Sequence, residues 1–322
     1  EDEIIYFVLP DRFANGDPRN DRGGIRGGPL ETGFDPTSKA FYNGGDLRGL
    51  IDRLDYIQGL GVTAIWFAPI FKNKPVQGIG TANVSAGYHG YWVTDFTTVD
   101  PHFGTEAEFR EFVDAAHARG MKVYMDIIVN HTADVIQYRE SSPEGFPYRS
   151  LADYPDAAYT PYIPAGEETV KVPAWLNDPQ YYHNRGNTTF RNESATLGDF
   201  VGLDDLATED PRVVQGMIDI FGDWIDRFGI DGYRIDTAKH VNAELWQQFV
   251  PAILERARAR GIPNFHIFGE VFSEEVNPGY LARFTHVDRL PAVLDFAFAS
   301  AVQQTVGANR SPDLFERLFQ GD

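Results

Sequence analysis

The chain has 322 residues, 43% hydrophobic and 23% charged, with 28 basic against 47 acidic side chains and a net charge of −19. Such a composition can bury a large core and repels phosphate backbones and anionic membranes, which disfavours nucleic-acid and membrane partners and suits neutral ligands or hard cations. The absence of cysteine excludes disulfides, thiolate metal sites and cysteine nucleophiles.

In chain order, "IIYFVLP" (4–10) predicts a first strand. No basic leader segment precedes it, so an export signal was either removed or never present. A helical pattern runs from Asp46 to Gly59, and "VTAIWFAPI" (62–70) reads as a strand buried on both faces. The apolar stretch from Val62 to Phe71 is far short of the ~20 residues a membrane span needs. Thr105 and Glu108 form a capping box, Phe109, Phe112, Val113 and Ala116 make a helical stripe, and Gly120 ends it. "KVYMDIIVN" (122–130) is the third strand.

From His131 to about Leu203 the chain is irregular and too long for a plain loop, so a small inserted domain is expected. Asp210 with Pro211 starts the next helix, whose stripe Val213, Val214, Met217, Phe221, Trp224, Ile225 and Phe228 runs to Gly229. "IDGYRID" (230–236), a helix over Ala243–Arg260, "FHIFGEVF" (265–272), a short helix near Pro278–Arg283 and a sixth strand, "AVLDFAF" (292–298), complete the pattern. Alternating β and α elements predict a parallel sheet, and chemistry at the strand ends favours a (β/α)8 TIM barrel. About six repeats are visible, so the last repeats and any C-terminal β-domain are expected to be absent. The expected divisions are barrel over 1–131, inserted domain over 132–203 and barrel again over 204–322.

Residues i and i+2 of a strand share a face, so Arg234 and Asp236 project together while Tyr233 and Ile235 pack the other way. An arginine beside an aspartate holds the carboxylate ionised, as a nucleophile requires. Read alone, the pair is also a buried salt bridge that sets register. One strand later Glu270 sits among Ile267, Phe268, Val271 and Phe272, neighbours that favour a protonated carboxyl. Read alone it is also a solvated strand end. An ionised and a protonated carboxyl on adjacent strand ends form the pair used in glycoside hydrolysis.

"DIIVNH" (126–131), "GYRIDTAKH" (232–240) and "GEVF" (269–272) stand in the order and at the strand positions of three motifs of the α-amylase family of glycoside hydrolases, which the chain resembles. "GLDDL" (202–206) resembles a fourth, and "AGYHGYW" (86–92) and "VDPHFGT" (99–105) extend the similarity along most of the chain. The resemblance implies that Asp236 is the nucleophile, Glu270 the general acid and then base, and Arg234 the residue that positions Asp236. It implies that Tyr91 stacks beneath the sugar at the cleavage point, with His89, Trp92 and His131 in the same subsite. Taken singly, His89 and Trp92 are also read as core residues. Lys239 and His240 match the leaving-group side of an α-1,4-glucan site.

The resemblance also implies a calcium ion held by Asn130, Asp205 and the His240 carbonyl. Asn130 as a turn former and Asp205 as a cap is the plainer reading. A second set, Asn15, Asp17, Asn20 and Asp21 with Gly44 and Asp46, has the spacing of a loop that wraps one ion, and also that of ordinary turns. It resembles the N-terminal calcium loop of cyclodextrin glucanotransferases and some maltogenic amylases. Calcium sites favour an extracellular or periplasmic location.

One feature of the family is missing. None of the eight histidines is followed by the aspartate that serves as its third carboxylate. Asp295, inside the sixth strand, is read as structural or supporting.

The implied function is an endo-acting retaining α-glucan hydrolase on starch or maltodextrins. The alternatives are a transglycosylase or cyclodextrin-acting maltogenic enzyme, a non-catalytic amylase-like binding protein and a metal-dependent lyase or isomerase. That last reading would use Asp126 for magnesium, and Arg234 beside Asp236 argues against a cation there. The sequence leaves the oligomeric state open.

Overall fold

The computed structural model describes residues 2–140, 158–188, 190 and 194–321. The elements used below are β1 (Ile5–Val8), α1 (Leu47–Asp52), α2 (Leu54–Gly59), β2 (Ala64–Phe67), α3 (Glu106–Ala118), β3 (Lys122–Ile127), α4 (Pro211–Phe228), β4 (Gly232–Ile235), α5 (Ala243–Ala259), β5 (His266–Gly269), α6 (Pro278–His286), α7 (Phe296–Val302) and α8 (Asp313–Gly321). The five strands form one sheet in the order β1-β2-β3-β4-β5, and every pair is parallel. Helices connect them; the central strands β3 and β4 are buried on both faces, whereas Ile5 and Phe7 of the edge strand β1 are exposed.

Local signals account for the helix ends. Thr105 accepts from Glu108 N and Glu108 reaches back to Thr105 N, closing the predicted capping box on α3. Asp210 caps α4, Pro211 opens it, and Gly229 ends it in the left-handed region at φ 66°. The predicted α4 stripe is buried throughout, with Trp224 donating to the Phe96 carbonyl at 2.7 Å. The single helix expected over 46–59 is two short ones, broken at Arg53.

The sixth predicted strand is corrected. Only Val293 bridges to Gly269, and Asp295 accepts from Phe298 N at 2.8 Å to cap α7. Three of the seven residues that follow are alanine, which favours helix once a capping carboxylate is in place. Asp295 is therefore a helix cap and not a mid-strand residue.

After β3 the chain leaves the sheet. The region expected as an inserted domain lies partly outside the described residues; within them, Gln137–Tyr138 pairs antiparallel with Pro161–Tyr162. Its buried centre is an ion pair of Lys171 and Asp204 at 2.5 Å, with Tyr182 alongside. The two ends of the excursion meet where His131 bridges Asp205 and Leu206 N donates to the Asn130 carbonyl.

Candidate active site

All the chemistry sits at the C-terminal ends of the strands. Parallel register sets Arg234 of β4 opposite Asp126 of β3. Arg234 Nη1 donates to both Asp126 oxygens, at 2.8 and 3.0 Å, and to Asp236 Oδ1 at 2.8 Å. Its Nη2 lies 3.0 Å from Glu270 Oε2. The predicted Arg234–Asp236 pairing is present, and one guanidinium also serves two further carboxylates. The apolar setting expected for Glu270 is only part of its surroundings, because Oε2 faces Arg234 and the Thr237 N–H, the latter at 3.1 Å.

The expectation that Arg234 alone keeps Asp236 ionised needs correction. Burial pushes Asp236 up to about 8; Arg234 pulls it down, while Asp126 and Glu270 push it further up. Burial likewise pushes Asp126 up to about 6 against Arg234. Three carboxylates share one cation, so the cluster as a whole retains a proton into the neutral range.

Sequence reasoning considered Asp126 only as a magnesium ligand in a disfavoured reading; the structure pairs it with Arg234 instead. It is fully buried and accepts from Trp66 Nε1 at 2.9 Å and Tyr91 Oη at 3.1 Å. The available signal was a charge inside the otherwise apolar "KVYMDIIVN". Tyr91 is thereby tied to the carboxylate cluster. His89 stacks on its ring at 5.7 Å and meets Trp92 edge-on.

A cavity of about 450 Å³ gathers His89, Tyr91, Trp92, His131, Asp236 and Glu270, joined by Phe200 and Thr237. Burial holds both imidazoles neutral, His89 down to about 4 and His131 down to about 3. His131 Nε2 is buried without a protein partner, a hydrogen-bonding atom waiting for a hydroxyl. A neighbouring cavity of about 360 Å³ contains Lys239, His240 and Glu270, with Phe190, Phe200 and Phe272 as apolar walls. None of these phenylalanines was assigned to the site from sequence. Lys239 Nζ donates to the Phe272 carbonyl at 3.0 Å, and His240 Nδ1 lies 2.6 Å from the Ala195 carbonyl.

The structure brings together the N-terminal candidate calcium set and, of the other set, Asn130 and Asp205. Asn130 and Asp205 meet where the excursion rejoins the sheet, and Asn130 Oδ1 is buried with no partner. The Asp205 carboxylate takes His183 Nδ1 at 2.5 Å. Burial opposes charge on His183, but Asp205 and Glu209 outweigh it and raise the imidazole to about 10.

In the N-terminal set, Asn15 donates to Asp21 at 2.7 Å, and a side chain on Gly44 would run into both. Asp46 accepts from Gly16 N, Asp17 N, Gly49 N and Asn20 Nδ2, so it clasps the loop and caps α1. Asp17 is drawn aside by Arg19 at 2.7 Å, while Asn20 Oδ1 is buried without a partner. Among the described residues no cluster of three or more His, Cys, Asp or Glu is arranged to hold a metal. Both sets depend on amide and carbonyl oxygens, which suit a hard cation.

The sequence matches the family described as Alpha amylase, catalytic domain, over residues 7–316. It is 48% identical over 347 residues to an Alpha-amylase of Streptomyces lividans, covering 99% of this chain and 37% of that one. A Cyclomaltodextrin glucanotransferase of Klebsiella oxytoca is 31% identical, covering 94% of this chain and 44% of its own. Among solved structures, an Anoxybacillus alpha-amylase superposes with a TM-score of 0.72 at 33% identity, over 99% of this chain and 57% of that one. The chain thus spans about half or less of the curated relatives named here. With the parallel sheet, the carboxylates at its strand ends and a match along nearly its whole length, the chain belongs to the alpha-amylase family of glycoside hydrolases, whose catalytic domain is a (β/α)8 barrel.

Proposed function

We propose that the protein is a retaining α-glucan hydrolase of endo-acting α-amylase type, with Asp236 as nucleophile, Glu270 as acid/base and Arg234 as the group that positions both. The observation that carries this reading is the single guanidinium in contact with Asp236 and Glu270 beneath an aromatic-lined cleft. A shared bridge keeps the two carboxylates close, which favours the retaining spacing of roughly 5–5.5 Å over the wider inverting one. The proton retained by the cluster is the one the leaving oxygen needs. Positive charge growing at the anomeric carbon favours ionised Asp236, and the acid role falls to Glu270. Tyr91 and Trp92 offer faces to the sugar, and His89 and His131, held neutral, offer ring nitrogens to its hydroxyls.

Incubation with maltoheptaose should release new reducing ends whose first-formed anomer is α. A β-anomer, or no release, overturns the reading. The walled cavity beyond Glu270, with Lys239 and Phe272, is room for an acceptor sugar and favours transglycosylation as the second reading. Products longer than the starting oligosaccharide, or cyclic ones, would identify it.

Calcium is proposed at both oxygen clusters because each contains a buried side-chain oxygen without a partner, Asn130 Oδ1 in one and Asn20 Oδ1 in the other. The first would tie residues 132–203, read as an inserted domain, to the barrel. Calcium would have to displace His183 from Asp205 there. Chelation should lower the melting temperature by about 5–10 °C, restored by added calcium; an unchanged melting curve rules out both sites. Such sites stay filled at extracellular calcium levels, which supports export. No helix among the described residues is long and apolar enough to cross a membrane.

A further inference from the structure

Thr237, directly after the proposed nucleophile, has φ 46° and ψ 35°. A β-branched residue in the left-handed region is an outlier, and such strain persists only where the surroundings hold it. Here Asp236 N is bonded to the Ile127 carbonyl at 2.9 Å, and His240 N to the Thr237 carbonyl at 2.9 Å. Capping does not explain the residue, because its side chain makes no bond to the short helix Ala238–His240. Its hydroxyl is buried without a partner, and the residue is only 8% exposed. Thr237 also lines both cavities that meet at Glu270.

What the strained turn achieves is the aim of one N–H. Thr237 N donates to Glu270 Oε2 at 3.1 Å, and Arg234 Nη2 approaches the same oxygen at 3.0 Å. Both contacts fall on Oε2, which leaves Oε1 outside the clamp. An oxygen that accepts one N–H and lies against a guanidinium is a less favourable seat for a hydrogen than the other oxygen of the same carboxyl.

We propose that Thr237 is a positioning residue for the acid/base: its left-handed turn aims an N–H at Glu270 Oε2 beside the Arg234 guanidinium, which disfavours hydrogen on that oxygen, so that Oε1 carries the transferable proton. This rests on the assignment of Glu270 above. In the first step the proton passes from Oε1 to the glycosidic oxygen as the bond to the anomeric carbon breaks. Asp236 bonds to that carbon, and the released sugar leaves as an alcohol. In the second, water attacks the same carbon, Asp236 departs as carboxylate, and the water's proton returns to Oε1. The surroundings hold this turn against the preference of a β-branched side chain, and glycine there widens the range of backbone geometries from which the N–H is aimed.

The test compares a maltooligosaccharide, whose leaving group needs a proton, with α-maltotriosyl fluoride, whose leaving group does not. In the full chain, T237G should lower kcat/KM on the oligosaccharide by about 10–100-fold, part of the general-acid contribution, and leave kcat/KM on the fluoride within about 3-fold. T237S should lose less than T237G, since serine keeps a side chain that limits the backbone range of the turn. If the glycine variant does not fold, a backbone ester in place of the 236–237 amide, which deletes the Thr237 N–H and keeps the side chain, is read in its place. Equal losses on both substrates, or no loss on either, overturn the proposal. E270Q separates the two readings. If it loses the oligosaccharide and keeps the fluoride while T237G does not, only Thr237 is misassigned. If E270Q hydrolyses both like wild type, the acid/base assignment itself fails.

Discussion

Asp236→Asn should abolish hydrolysis, lowering kcat by on the order of 10⁴-fold or more, while raising the melting temperature. The loss follows from removal of the attacking oxygen, without which the covalent route is closed. The gain follows from the charge count at the site, where Asp126, Asp236 and Glu270 surround the lone guanidinium of Arg234. Neutralising one of three buried carboxylates removes repulsion and a desolvation cost while Arg234 keeps two partners.

The pH dependence gives the sign independently. Asp236 is raised from 3.8 in the unfolded reference to about 8 in the fold, so its contribution to stability is fully present below about 3.8. It is lost as pH rises towards 8, because the unfolded chain releases the proton first. The gap between variant and wild type should therefore widen from pH 4 to pH 8. Thermal melts across that range check it. A variant that melts lower than wild type would show that Asp236 holds the fold together and was mistaken for a reactive group.

Arg234→Met should be the most damaging change to the fold itself. The guanidinium is 5% exposed and is the cation at the centre of the cluster. Its loss leaves buried carboxylates with no opposite charge, which costs about 3–5 kcal/mol. That penalty acts on ionised carboxylates, so it should be large at pH 8 and shrink towards pH 4, where they are protonated. Arg234→Lys should recover only part of it, since one ammonium cannot present a planar fork to three carboxylates. Denaturant titrations at the two pH values measure the difference. A penalty independent of pH would mean that Arg234 contributes packing, through its place over the Trp66 ring, more than charge. Activity should fall with stability, because Asp236 and Glu270 lose their common anchor.

How much of this could be read beforehand follows from the range of the physics involved. Capping at Thr105 and Asp210 and the α4 stripe were legible because they depend on residues three or four apart. So was the shared face of Arg234 and Asp236, which follows from the two-residue period of a strand. Motif order named Asp236, Glu270, Tyr91 and His131 as site candidates, and the structure gathers them into one cleft. The sixth strand was misread because "AVLDFAF" satisfies a strand pattern locally, while the Asp295 cap favours helix from Phe296 onward.

By itself, then, the sequence determined the alternation of strands and helices, their caps, and which side chains stand at the strand tips. Only the tertiary structure decided that Asp126 joins Arg234, that one guanidinium serves three carboxylates, and that Thr237 turns left-handed to meet Glu270. It also decided that Asn130 meets Asp205. These contacts join segments far apart in the chain, whose register and approach are set by packing of the whole sheet. Nearest-neighbour preferences carry no information about such pairings, so they become visible only once the fold has brought the strands side by side.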